Sequence, residues 1–282
     1  MNRSVQKYFP IFLLPTLIVF TVIFLAPFIL GIYLSFCKFT TITDAVWIGF
    51  FNYPRLFEDI IFRHSFWYTV SFTIVTMMLI NVLAFFVALA LTKKLRGKNF
   101  FRTVFFIPNL IGGIILGYIW QLLLNGLLTF VGRTLTSSGK YGFWGLVFLL
   151  CWQQIGYMMI IYIAGIQNIP WELTEAAKID GATYWQRIRH VVIPMVMPAF
   201  NVCTFLTLTN GLKLFDQNLA LTHGAPSRMS EMLALNIYNT FYGRPGYEGV
   251  GQAKAVVFFL LVATIALIQH RITLSKEVKV TE

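Results

Sequence analysis

Six apolar stretches, each long enough to cross a lipid bilayer, dominate this sequence and restrict what it can fold into. A transmembrane helix needs about 20 mainly apolar residues, and a span in lipid must bond its own backbone groups, which favours helices. Composition agrees, because 57% of the 282 residues are hydrophobic and only 12% are charged, against roughly a quarter charged in soluble domains. The sequence therefore predicts an all-α, polytopic membrane protein. The predicted spans cover about residues 11–36, 67–91, 104–124, 143–166, 191–212 and 253–270.

The distribution of positive charge predicts how these spans are oriented. Lys and Arg in loops favour the cytoplasmic side, and most of the 22 Lys and Arg residues fall on the side that holds both ends of the chain and residues 170–194. Arg244 and Lys254 are assigned to the opposite side. We therefore predict a multi-pass protein of the cytoplasmic membrane with both termini in the cytoplasm. The net charge of +11 is interpreted as this topology signal plus attraction to anionic headgroups, not as nucleic-acid binding.

A charged, alanine-rich segment, residues 170–194 (the cassette), separates the fourth and fifth predicted spans. Pro170 suits the first turn of a helix, where its missing N–H would have no partner. Gly181 can end that helix in the left-handed conformation, and Thr183 followed by Gln186 matches a capping box for a second helix. The pattern predicts a helix–turn–helix on the cytoplasmic side. Its spacing leaves open whether this is a docking element or an ordinary helical loop.

Three stretches of the chain resemble one known family. EAAKIDGATYWQRIRHVVIP (Glu175–Pro194) is similar to the EAA cassette of the membrane-spanning subunits of binding-protein-dependent ABC importers. WIGFFNYPRLFED (Trp47–Asp59) and KLFDQNLALTHGAP (Lys213–Pro226) resemble segments of its carbohydrate branch. Ile188 departs from the Phe often found there, and Ala225 replaces a usual second Gly. The resemblance covers most of the chain and implies a permease subunit of an ATP-driven carbohydrate importer, with glycerol phosphate or a polyol as the alternative solute.

The resemblance also implies an architecture and a set of partners. It implies the fold of an ABC type I importer permease, with a single permease domain over residues 1–282. The helix Glu172–Gly181 would be a coupling helix that sits in a groove of a separate ATP-binding subunit. We expect Asp180 to bond the N–H groups of the Gly181–Thr183 turn, or a partner residue. The implied coupling residues are Glu172, Glu175, Ala176, Ala177, Asp180 and Gly181. The implied partners are a second permease subunit, in a heterodimer rather than a homodimer, two ATP-binding subunits and an extracytoplasmic solute-binding protein.

Motifs for catalysis are missing from the sequence. It contains no G-x-x-x-x-G-K-[ST] phosphate loop and no HExxH or nucleophile elbow, and its His and Cys residues fit no metal spacing. We therefore predict a non-catalytic subunit that holds no metal or cofactor, with ATP and Mg²⁺ bound by the partner ATPase. A stand-alone channel or secondary transporter is the alternative from another class. It is disfavoured by the cassette and by the lack of mid-membrane charges in the predicted spans.

Polar side chains within the spans indicate where a solute would pass, because such groups are costly in lipid unless they have partners or a function. Amides can bond sugar hydroxyls, and aromatic faces can lie against sugar C–H groups. Trp120 and Trp152 could instead be interfacial anchors. Gln153 and Gln154 are adjacent on a helix and point in different directions, so at least one should make interhelical bonds. The predicted substrate-path residues are Trp120, Gln121, Trp152, Gln153, Gln154, Tyr157, Thr207 and Asn210.

Overall fold

The computed structural model describes residues 13–93 and 96–281, without the side chains of residue 270 and residues 272–281. The first two residues of the first predicted span, Ile11 and Phe12, therefore lie outside the described residues. Arg3, Lys7 and Lys94, which contribute to the predicted orientation, also lie outside the described residues, and so do the side chains of Lys276 and Lys279.

The described residues form a series of helices and one small hairpin. Strands β1 (Cys37–Lys38) and β2 (Val46–Trp47) pair antiparallel. A π-helical turn interrupts α1 at Thr21–Leu25 and α8 at Ile188–Val192. The helices are α1 (Leu13–Ser35), α2 (Asn52–Glu58), α3 (Ile60–Leu91), α4 (Lys98–Phe106), α5 (Gly113–Thr129), α6 (Gly139–Gln167), α7 (Trp171–Ile179), α8 (Tyr184–Met195), α9 (Met197–Leu212), α10 (Asp216–Leu221), α11 (Leu233–Gly243) and α12 (Glu248–Thr281). The predicted all-α class is confirmed.

Four helices are individually long and apolar enough to cross a membrane, namely α1, α3, α6 and the Glu248–Gln269 part of α12. Two further candidate spans are bent helix pairs, α4 with α5 and α8 with α9. The described residues thus hold four continuous candidate spans, or six if each bent pair counts as one. The division of residues 1–282 into a single permease domain stays a prediction.

Prolines lie at both bends. Between α4 and α5 a 3₁₀ turn begins with Pro108 as its second residue, the chain then extends at Ile111, and α5 starts at an angle of 101°. Between α8 and α9 the bend is 70°. There Pro194 and Pro198 lie in the first turns of consecutive short helices, and neither can donate an N–H to the preceding turn. The third and fifth predicted spans are therefore not straight rods.

The described backbone divides into two compact units, of which unit 1 comprises residues 13–62 and 236–260. Leu34, Cys37 and Phe39 form its buried apolar cluster, and Phe241 packs against them. The side chain of Asn52 is buried and donates to the carbonyl oxygens of Ser35 and Cys37, both at 2.9 Å. These bonds hold the hairpin against the start of α2.

A buried ionic cluster also lies within unit 1. The Lys254 side chain on α12 is fully buried, and its Nζ donates to Asp59 Oδ2 at 2.8 Å, Asn236 Oδ1 at 2.9 Å and Thr240 Oγ1 at 2.8 Å. Arg244 Nη1 donates to the same Asp59 oxygen at 3.2 Å. The sixth predicted span begins at residue 253, which leaves Lys254 at its edge; in the structure α12 begins earlier, at Glu248, and Lys254 is a buried helical residue with a bond for each of its three ammonium protons.

Unit 2 comprises residues 63–235 and 261–282. Its core is one apolar cluster centred on α6, where Leu146, Leu149 and Met158 are fully buried. Helix α6 approaches α4 so closely that a Cβ at Gly156 would overlap the carbonyl oxygen of Phe105. Only a residue without a side chain permits this contact.

Candidate functional site

A polar cavity of about 310 Å³ lies in unit 2 between α6, the end of α9 and the start of α10. Five of its lining side chains are carboxamides, and we call it the carboxamide cavity. Lys213 and Asp216 add one charge of each sign. The lining residues are Asn109, Gln153, Gln154, Asn210, Lys213, Leu214, Phe215, Asp216 and Gln217.

Hydrogen bonds between helices orient these amides. Gln217 Nε2 donates to Gln153 Oε1 at 2.8 Å, and Gln153 Nε2 donates to the carbonyl oxygen of Ile111 at 3.3 Å. Asn210 Nδ2 donates to Gln154 Oε1 at 3.3 Å. The expected interhelical bonds are thus confirmed for both adjacent glutamines. Both also line the same cavity, although neighbouring helix positions point about 100° apart.

Two other predicted path residues are bonded elsewhere. Gln121 Nε2 donates to the carbonyl oxygen of Leu221 at 3.0 Å, which ties α5 to α10. Thr207 is buried in a network that joins three helices: Asn81 of α3 donates to Thr207 Oγ1 at 2.9 Å, and Tyr162 of α6 donates to Asn81 Oδ1 at 2.6 Å. Neither Gln121 nor Thr207 lines the carboxamide cavity, so their geometry favours a structural role.

The predicted aromatic residues also pack outside the cavity lining. Trp120 and Trp152 form a T-shaped pair with centroids 5.4 Å apart. Trp152 is 42% exposed near the middle of the candidate span α6, which favours contact with lipid over a role as an interfacial anchor. The Tyr157 ring lies 6.4 Å from that of Phe106. Of the eight predicted path residues, the structure brings together Gln153, Gln154 and Asn210 in the cavity.

Sequence reasoning missed Lys213, Asp216 and Gln217 as cavity residues. They follow α9 directly, where the chain turns into α10. A Cβ at Gly113 would lie 2.8 Å from Asp216 Cβ and 3.0 Å from the Gln217 amide carbon, so the start of α5 abuts this turn. The available signal was the KLFDQNLALTHGAP motif, which had been used only to identify a family.

The cassette forms the predicted helix–turn–helix. Helix α7 ends at Ile179, and Gly181, two residues further on, has a left-handed φ of +76°. The capping box of Thr183 and Gln186 is present at the start of α8. Pro170 lies one residue before the predicted first helical position, as the N-cap of α7. Local sequence chemistry therefore places the turn correctly to within one residue.

The expected bonding of Asp180 to its turn is wrong. The N–H of Gly181 binds the Lys178 carbonyl and that of Ala182 binds the Ala177 carbonyl, both at 3.0 Å. Gln186 Oε1 accepts the remaining N–H of the turn, from Thr183, at 2.7 Å. The helix end and the capping box satisfy these donors first.

The surface of α7 is unusually apolar for an exposed helix. Trp171 is 69% exposed, Leu173 44% and Ile179 81%. Glu172 is exposed, Ala176 and Ala177 lie on the same short helix, and Glu175 pairs with Lys178 at 2.8 Å. Exposed apolar groups ringed by charge are typical of a surface that binds another protein. Trp171 and Ile179 were not among the predicted coupling residues.

Comparison with known proteins gives a consistent result. Residues 80–273 match the family model described as binding-protein-dependent transport system inner membrane component. The chain is 44% identical over 278 residues to the probable starch degradation products transport system permease protein AmyD of Thermoanaerobacterium thermosulfurigenes, covering 95% of this chain and 94% of that protein. It is 32% identical to the multiple sugar-binding transport system permease protein MsmF of Streptococcus mutans serotype c, covering 99% of each.

A solved structure shows the same fold. The crystal structure of a bacterial ABC transporter involved in the import of the acidic polysaccharide alginate contains a chain that superposes with a TM-score of 0.83. The sequences are 20% identical, and the match covers 96% of this chain and 97% of the other. The expected fold of an ABC type I importer permease is therefore confirmed.

Proposed function

Since this chain belongs to the family of binding-protein-dependent transport system inner membrane components, we propose that it is the permease subunit of an ATP-driven importer of a carbohydrate. It crosses the membrane several times and performs no catalysis itself. A second permease subunit completes the pathway, and two ATP-binding subunits hold the ATP and Mg²⁺. An extracytoplasmic solute-binding protein delivers the sugar, and both termini and the cassette lie in the cytoplasm.

The carboxamide cavity carries the proposal of a carbohydrate. Its five carboxamides offer both donors and acceptors, the pairing that a hydroxyl group needs because it both donates and accepts. The amides already bond one another at 2.8 and 3.3 Å, so a sugar exchanges these bonds for bonds of its own. Lys213 and Asp216 offset each other in formal charge, which favours a neutral polyhydroxyl solute over a phosphate ester.

Cassette geometry supports ATP coupling. Residues 168–170 link α7 to the span α6, and residues 180–183 link it to α8. Such short links transmit a displacement of α7 to the spans on either side. The exposed Trp171 and Ile179 project within about 80° of each other on α7 and offer an apolar surface for a groove in the ATP-binding subunit, in the manner of amphipathic helix recognition. The transport cycle then switches between inward-open and outward-open arrangements.

Transport assays with cavity variants test the solute proposal. Gln154→Leu and Asn210→Leu each remove an amide from the cavity, and we expect loss of sugar uptake with normal membrane insertion. Gln167→Leu is the matched control, because it makes the same change at the exposed end of the same helix. Uptake of glycerol phosphate but no sugar by the parent would instead support the alternative solute. Unchanged uptake in both variants would remove the cavity from the pathway.

Cassette variants test coupling separately. Glu175→Lys and Gly181→Leu should allow ATP hydrolysis but abolish uptake, since the first reverses a surface charge and the second strains a left-handed residue. Controls are Glu58→Lys on α2 and Gly132→Leu, an exposed glycine with φ of +67° outside the cassette. Wild-type uptake by both cassette variants would show that α7 does not transmit the motion.

A further inference from the structure

A second cavity, of about 210 Å³, lies in unit 2 beside the cassette. The last turns of α3 and α6 form one side, and α7 and α8 form the other. Its walls are mainly apolar and include Leu89, Ile166, Ile188 and Val192. Because α3 and α6 are candidate spans that end here, the cavity lies at the level where lipid headgroups meet the hydrocarbon.

The charged side chains that line this cavity are both cationic. Lys93 Nζ lies 4.4 Å from the centroid of the Tyr184 ring. Arg187 comes from α8, and its Nε is buried without a hydrogen-bond partner in the part of the chain that the structure describes. A buried guanidinium donor without a partner is costly, and the cassette acid Glu175 is already paired with Lys178. The site therefore lacks an anion.

We propose that this cavity, the basic pocket, binds the headgroup of an anionic phospholipid such as phosphatidylglycerol. The phosphate lies between Lys93 and Arg187 and accepts the free Nε–H of Arg187. The glycerol and the start of an acyl chain lie against the apolar wall. Basic pockets between transmembrane helices are known to take lipid headgroups.

The shape of the basic pocket distinguishes a lipid from other ligands. A sugar needs polar partners on most sides, and this wall is largely apolar. A soluble phosphate ion gains nothing from Leu89, Ile188 and Val192, whereas a lipid gains both from the cations and from the apolar contacts. Bound there, the lipid links the end of α3 to the start of α8 and so restricts the movement of the cassette relative to the spans. This role does not depend on which solute is transported.

Native mass spectrometry of the full chain, purified from membranes with its copurifying subunits, tests the proposal. Phosphatidylglycerol is titrated into the delipidated complex, with phosphatidylcholine as the zwitterionic comparison. Loss of one cation should raise the Kd for phosphatidylglycerol about fivefold, which corresponds to about 1 kcal/mol per basic residue near a lipid surface. We expect this for Lys93→Gln and for Arg187→Gln, and a larger loss for the double variant.

Arg189→Gln is the matched control, because Arg189 is exposed, lies two residues from Arg187 and does not line the pocket. It should bind phosphatidylglycerol like the parent. The proposal fails if parent and double variant bind this lipid equally, or if phosphatidylcholine binds as tightly. It also fails if millimolar inorganic phosphate displaces the lipid completely, since the pocket would then be a site for soluble phosphate. Lys93 is exposed, so Lys93→Gln remains informative even if Arg187→Gln does not fold.

Discussion

Replacing Asp59 with asparagine should destabilise unit 1 strongly, although the two side chains have the same shape. The asparagine Oδ1 can still accept the N–H of Ile61, which Asp59 accepts at 2.9 Å, so the start of α3 keeps its cap. What disappears is the negative charge opposite Lys254 and Arg244. Lys254 is fully buried and keeps only neutral acceptors.

The magnitude follows from how each cation is buried. Removing one partner of a buried ion pair costs about 3–5 kcal/mol, because the other charge is left uncompensated. Asp59 is 13% exposed at its side chain and Arg244 is 29% exposed, so water moderates the loss and the Arg244 pair adds little. We therefore expect Asp59→Asn to lower the free energy of unfolding by about 3 kcal/mol. The double variant Asp59→Asn/Lys254→Met should regain part of that loss, because the fully buried charge of Lys254 is then gone and the remaining cation, Arg244, is partly exposed to water.

Equilibrium unfolding in mixed detergent, followed by tryptophan fluorescence, measures these differences. Asp44→Asn is the matched control, because Asp44 lies in the same unit and accepts the N–H groups of Thr40 and Thr41 at 2.9 Å. Asp44 is exposed, so its replacement should lower the free energy of unfolding far less. Equal losses in Asp59→Asn and Asp44→Asn would refute the reasoning, as would strict additivity in the double variant.

The pH dependence gives an independent check. Burial alone raises the pKa of Asp59, but the hydrogen bond from Lys254 and the charges of Lys254 and Arg244 outweigh it, so the pKa is lowered. A lowered pKa stabilises the fold above the unfolded-state value of about 3.9 and loses this contribution as the pH falls through the folded-state value. Parent stability should therefore decline below about pH 4, and Asp59→Asn should lack that part of the decline.

Two further variants probe packing and bonding inside unit 2. Gly156→Ala should force α6 away from Phe105 and sharply reduce folded yield in size-exclusion chromatography, whereas Gly126→Ala, where a Cβ meets nothing within 4 Å, should fold normally. If both alanine variants fold equally well, the close approach is wrong. Tyr162→Phe removes the bond to Asn81 and should lower the free energy of unfolding by about 1 kcal/mol, the scale of interhelical bonds in membranes; no change in detergent unfolding would contradict this.

Local chemistry made parts of this structure predictable from the sequence. The turn at Gly181 and the capping box at Thr183 depend on neighbouring residues, so their positions follow from a few letters. The positions of apolar runs follow equally from composition. The bend between α4 and α5 was not predicted, because a proline in a membrane helix can be accommodated or can break it. Contacts with neighbouring helices decide which occurs.

Contacts between distant residues could not be predicted. Asp59 and Lys254 are 195 residues apart, and no periodicity relates them, so nothing in the sequence indicated that they form an ion pair. For the carboxamide cavity, the sequence instead selected more residues than line it. Polarity alone selected Gln121 and Thr207 along with Gln154, yet only the three-dimensional arrangement reveals that the first two are bonded to Leu221 and Asn81.

The bend at the start of α5 places the end of a helix within the depth of the membrane. Its 17 residues rise about 25 Å, less than the hydrocarbon thickness of about 30 Å, and α4 turns away at 101°. The first amide groups of α5 therefore lie at membrane depth, and the N-cap residue Gly112 has no side chain that could accept a hydrogen bond from them. At this depth, non-helical backbone is tolerated only inside protein or beside solvent. The side chains of Asp216 and Gln217 pack against Gly113 at this point, so protein rather than lipid surrounds the start of α5.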